Sequence, residues 1–135
     1  MLKTISVSTK RRNELIDITN EVENAVRDAG VRDGVVTVFI PHTTAAVTIN
    51  ENADPDVMRD IVYKLQGVFP QNDEYHHSEG NSDAHVKTTL VGPSLQVIVH
   101  DGALLLGTWQ SIYFCEFDGP RTRKCHIKIV SGAAG

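Results

Sequence analysis

Two turn tetrads divide the second half of this chain into strands, and they constrain the fold more than any other feature. Val91-Gly92-Pro93-Ser94 separates His85-Val-Lys-Thr-Thr-Leu90 from Leu95-Gln-Val-Ile-Val-His100. Asp118-Gly119-Pro120-Arg121 separates an apolar run over about 104–117 from another over 122–130. Turn residues between apolar and β-branched runs read as hairpins. Upstream, Lys3–Thr9 alternates with Ile5 and Val7 on one face, which predicts a half-exposed strand. Thr19–Ala29 carries the stripe Ile18, Val22, Ala25, Val26 and Ala29, with Gly30 as a helix stop. Strands are expected over Val35–Ile40 and Thr44–Ile49, divided by Pro41. Asp54-Pro55-Asp56 is a helix start, with Val57, Met58, Ile61, Val62 and Leu65 on its apolar face. Residues 70–84 are polar and without period, a loop of the length that usually carries function or is disordered. The order predicts an α+β fold, its sheet mainly antiparallel, with two helices on one side. Trp109, Tyr113 and Phe117 alternate in a strand expected to be buried on both faces or packed against another subunit.

A chain of 135 residues is expected to form a single domain over 1–135. It can bury about two-thirds of its unfolded surface without staples. The net charge of −4 gives no electrostatic reason to expect nucleic acid as a partner. No apolar run approaches the ~20 residues of a membrane helix, so no membrane partner is expected. MLKTISVSTKRR lacks the apolar stretch of a signal peptide, which sets a cytoplasmic expectation. Cys115 and Cys125 flank the last turn, and free buried thiols are expected there in preference to a disulfide.

Five of the six histidines fall between positions 42 and 100. If Leu90 pairs with Leu95, His85 stands opposite His100, with Cβ atoms roughly 4.5–5.5 Å apart. His77, one of an adjacent pair with His76, adds a third nitrogen from the polar loop. Three protein ligands with an open position is the pattern of a catalytic zinc site. Pro41-His42-Thr43-Thr44 joins two strands and points a ring and hydroxyls out of a sheet edge. Glu51, after Asn50, is a candidate general base or a partner to a ligating histidine. Arg121 and Arg123 carry the planar fork that suits phosphate.

Pro41-His-Thr-Thr-Ala45, Asn50-Glu-Asn-Ala-Asp-Pro55, Glu79-Gly80 with His85, and Gly107-Thr-Trp-Gln110 together resemble the YjbQ-type family, also called secondary thiamine-phosphate synthases. The likeness runs from about Lys3 to Val130. It implies a homotrimer with a histidine-built site for a divalent metal, zinc before others, or for a phosphate-like anion. It also implies that His42, Asn50, Glu51, His77, Glu79, His85, His100, Trp109 and Gln110 are site residues.

The expected function is therefore a transferase joining a pyrimidine diphosphate to a thiazole phosphate with loss of pyrophosphate. His77, His85 and His100 are its expected metal ligands, and Glu51, His42 and Glu79 its catalytic candidates. Thr43, Thr44, Asn50, Trp109, Gln110, Arg121 and Arg123 are expected to meet the phosphorylated substrate. A zinc-dependent hydrolase using Glu51 or Glu79 as base, and a non-enzymatic metal- or metabolite-binding trimer, are the alternatives.

Overall fold

Two antiparallel sheets and three helices make up the computed structural model, which describes residues 1–132. In chain order the elements are β1 (Leu2–Ser8), β2 (Glu14–Asp17), α1 (Thr19–Ala29), β3 (Gly34–Phe39), β4 (Ala45–Glu51) and α2 (Pro55–Val68). They continue with α3 (Ser82–Val91), β5 (Ser94–His100), β6 (Ala103–Leu104), β7 (Gln110–Glu116) and β8 (Thr122–Ser131). The larger sheet has the order β1-β8-β3-β5-β6 and the smaller β2-β7-β4. The α+β expectation holds, with one helix more than the sequence predicted.

The main core lies between the sheets. Val36, Val38, Val97, Val99, Ile127 and Ile129 of the larger sheet meet Val47, Ile112 and Phe114 of the smaller one, with Val22 and Val26 of α1. Gly30 closes α1 in the left-handed conformation at φ 66°. The other face of the smaller sheet carries a second cluster, Ala46, Cys115 and Phe117, covered by Ala84 and Val91 of α3 and Leu65 of α2. Residues 111–117 are consequently all buried, as a central strand covered on both faces requires. Among the described residues no helix covers the outer face of the larger sheet, where Val35, Ile98 and Val130 are exposed. Gly34 sits where β3 and β8 approach: an added Cβ would lie 2.1 Å from the Val130 carbonyl oxygen.

Three expectations are corrected. His85–Leu90 is helical, because α3 buries Ala84, Lys87 and Thr88 along one side and ties Lys87 to Asp83 one turn earlier. The strand expected over 104–117 is two, β6 and β7, separated by the stretch that exposes Trp109. The sequence does not predict β2, since Leu15 and Ile16 are adjacent and give no alternation. Asp54 does cap α2, its carboxylate accepting the Asp56 N–H at 2.9 Å. Both cysteines are free and buried, as expected. No helix among the described residues is long and apolar enough to cross a membrane.

Candidate functional site

Where the polar loop enters α3, two histidines meet. Tyr75 donates from its hydroxyl to the Pro70 carbonyl at 2.6 Å, and the Gln71 amide donates to the Gly80 carbonyl at 3.1 Å. These bonds fold the loop back on itself. Asn81, just before the helix, donates to Asp118 on the β7–β8 turn at 2.8 Å. With the loop and helix start fixed, His77 Nδ1 lies 2.7 Å from Ser82 Oγ. The rings of His77 and His85 cross nearly at right angles, centroids 5.5 Å apart. His77 Nε2 is 3.6 Å from Glu79 Oε1.

His77, Ser82, His85 and Val86 line an open cleft of about 380 Å³. A neighbouring hollow of about 440 Å³ shares His85 and Val86 and is otherwise walled by Phe69, Thr89 and Leu90. Imidazoles and a hydroxyl thus stand beside an apolar wall, the mix of polar groups and apolar lining that small-molecule pockets have.

His100 does not join this group. The expected register with His85 fails because His85 is helical and α3 ends where β5 begins. β5 then carries His100 away by roughly 20 Å at 3.3 Å per residue. Its ring lies 3.2 Å from Asp33 and 3.6 Å from Asp101 at the far end of the sheet. No group of three or more His, Cys, Asp or Glu side chains among the described residues is placed to hold a metal ion. Two imidazoles and one exposed carboxylate do not amount to the expected three-histidine zinc site.

The remaining candidates form two further groups. Glu51 pairs with Gln110 between β4 and β7, and the Asn52 N–H donates to the Trp109 carbonyl at 2.9 Å. In this group the Glu51 carboxylate accepts the Ala53 N–H at 3.1 Å and Asn50 Oδ1 accepts the Glu51 N–H at 2.7 Å. Both are turn bonds, which account for these residues structurally; Trp109 stands exposed. The other group centres on Arg123, which is buried and donates to Glu116 at 2.9 Å and to Thr44 Oγ1 at 2.8 Å. Arg121 donates to the Asp118 carboxylate at 3.0 Å. Neither arginine is a free phosphate fork. His42 Nε2 accepts the Lys124 N–H at 2.9 Å; burial, and then the Arg123 charge, lower its pKa from the ordinary 6.5. Thr43 is exposed beside it.

Arg12 and Lys87 are not singled out by the sequence, and Asn81, Ser82 and Asp83 figure in it only as members of the polar loop around the histidines. The Asp83…Lys87 spacing of four, acid first, was a helix signal there to be read. Burial pushes the Cys115 and Cys125 thiols up to about 12, so both stay protonated and take no nucleophilic role.

Residues 3–132 match the family model described as UPF0047 protein YjbQ-like. The chain is 53% identical to the UPF0047 protein YugU of Bacillus subtilis over 131 residues, which cover 96% of this chain and 99% of that one. It is 36% identical to the UPF0047 protein YjbQ of Escherichia coli O157:H7, over 84% of this chain and 85% of that one. A crystal structure of an uncharacterized conserved protein from Clostridium acetobutylicum superposes with a TM-score of 0.94 at 56% identity, covering 95% and 99% of the two chains. A protein of unknown function from Sulfolobus solfataricus gives 0.94 at 35% identity, covering 98% and 97%. These findings correct the functional expectation. The relatives carry only the family designation, the solved neighbours no activity, and the metal centre on which thiamine-phosphate synthesis was to run is not formed. The zinc-dependent hydrolase, and the metal-binding form of the non-enzymatic trimer, relied on the same centre.

Proposed function

The chain belongs to the YjbQ-like UPF0047 family, and from its own geometry we propose that it is an enzyme transferring a proton to and from a small substrate in the cleft over His77 and His85. The observation that carries this reading is the fixed His77 ring. Ser82 Oγ lies 2.7 Å from His77 Nδ1 and 3.4 Å from the His77 carbonyl; on the proposed reading the hydroxyl donates to that carbonyl and accepts His77 Nδ1–H. The neutral ring then keeps its lone pair on Nε2. A proton taken from substrate at Nε2 gives an imidazolium whose Nε2 lies 3.6 Å from Glu79 Oε1. His85, edge-on to the same ring, is the second acid–base group, and the two can serve successive transfers. A screen of small esters, carbonyl compounds and amides should find turnover that His77→Ala abolishes and His100→Ala leaves intact. Equal loss in both variants would contradict the reading.

The homotrimer implied by the family resemblance belongs to this proposal too. What supports self-association is a cross-strand row on the uncovered face of the larger sheet. Val35 pairs with Val130 on one side and Ile98 on the other, and all three are exposed. Phe39 and Leu105 extend the same apolar surface. Uncovered apolar area of this kind marks an interaction surface. Light scattering should give a mass near three times the 14.8 kDa chain, and Val35→Lys should reduce it to one. A monomeric parent, or a trimer that survives Val35→Lys, would exclude this face as the interface.

A further inference from the structure

The opposite side of α3 holds a charge arrangement that the histidine cleft does not use. Asp83 is fully buried and Lys87 is 1% exposed. Arg12 donates from both terminal nitrogens to the two Asp83 oxygens at 2.9 Å, and Lys87 Nζ donates to Asp83 at 2.8 Å and to Asn13 Oδ1 at 3.1 Å. Two cations thus share one carboxylate. The nearby Asp118 is engaged by Asn81 and Arg121. An ammonium has three donors, and Lys87 uses two on protein acceptors. Lys87 is buried and the Arg12 side chain is 26% exposed, so the two cations carry their positive charge from the core out to the surface, where an anion can complete it.

A pocket of about 180 Å³ opens onto this cluster, lined by Arg12, Lys87, Asn13, Gln66 and Gln71, with Asp83 as its only carboxylate. It shares Asn13 and Gln66 with a larger cleft of about 460 Å³ that runs along α2 past Met58, Val62 and Tyr63. That cleft exists because α2 lies loosely over the smaller sheet and buries none of its residues fully. The pocket offers amide and cationic donors, and its one acid is already triply hydrogen-bonded. A cation would have to break those bonds; an oxyanion would not.

We infer that this pocket is a binding site for a small organic oxyanion, a phosphoryl or carboxylate group held by Arg12 and Lys87 with the body of the molecule in the cleft beside α2. The site is independent of the histidine cleft. Asp83 and Lys87 lie on the side of α3 away from His85, and binding requires no turnover.

Calorimetric titration of the full chain with inorganic phosphate, and separately with acetate, at constant ionic strength tests this. At least one probe should bind saturably and raise the melting temperature, as a ligand selective for the folded state must. Which one binds distinguishes phosphoryl from carboxylate. Gln66 is exposed at the rim shared by both hollows, so Gln66→Glu should fold normally and weaken binding more than tenfold through the added negative charge. Arg12→Gln should weaken it similarly. Saturable binding that Gln66→Glu leaves undiminished, or no saturable binding of either probe to the parent chain, would overturn the assignment.

Discussion

Asp83→Ala is expected to cost about 3–5 kcal/mol of folding stability, the range for a buried charge left without its partner. Alanine would strand the Lys87 ammonium, 1% exposed, with Asn13 as its remaining hydrogen-bond acceptor, and would release both terminal nitrogens of Arg12. Urea unfolding of the variant measures the loss. A loss below about 1 kcal/mol would mean that water or the Asn13 side chain solvates Lys87 and that the pair is not the core contact described. Combining Asp83→Leu with Lys87→Met removes both charges and should recover most of the loss, because two apolar side chains of similar volume need no partner. The same contact sets the acid limit of the fold. Burial raises the Asp83 pKa, but hydrogen bonds and charge from Arg12 and Lys87 outweigh it, bringing it to about 2 from 3.8. A carboxyl lowered on folding stabilises the fold above its unfolded pKa. That contribution should be complete above about pH 4 and lost as pH falls toward 2.

Glu116→Ala should have an effect of the same size, about 3–5 kcal/mol, for the same reason at the other buried pair. Glu116 is fully buried and Arg123 is 3% exposed, so removing the carboxylate strands a guanidinium whose remaining acceptors are the Thr44 oxygens. The consequence reaches the candidate site. Glu116 accepts the Asp118 N–H at 3.0 Å, and Asp118 in turn receives Asn81 at the start of α3. The variant should therefore lose hydrogen-exchange protection at Ser82–His85 as well as global stability. Unchanged protection there, alongside a lowered midpoint, would limit Glu116 to a local role in the β7–β8 hairpin.

The sequence made the helix ends legible because they rest on local chemistry. Asp54 before Pro55, and Gly30 after Ala29, need no knowledge of the rest of the chain. The two turn tetrads were legible for the same reason. α3 was not, because Val86, Thr88 and Thr89 carry β-branched side chains and the turn after them suggested a hairpin. What decides for helix is tertiary: Ala84 and Val91 packed against the smaller sheet, and Lys87 drawn onto Asp83 and Asn13. That one misreading displaced the metal site, since His85 opposite His100 existed only in the strand register. His77 with His85 survived as a pair because both lie at the junction of loop and helix. The arginines misled in another way. A planar fork at a turn suits phosphate, but Arg123 has its partner Glu116 seven residues earlier, across the hairpin, where spacing alone does not reveal a contact.

The proposed proton transfer requires a neutral His77 held by Ser82 with its lone pair on Nε2. Two-bond proton–nitrogen correlation spectra of the imidazoles, recorded well above the titration range, assign that tautomer directly. The expected result is His77 protonated at Nδ1, with Ser82→Ala removing the preference and His100→Ala leaving it unaltered. A His77 ring protonated at Nε2 would turn its basic nitrogen toward Ser82 and away from the cleft, and would contradict the proposed proton transfer.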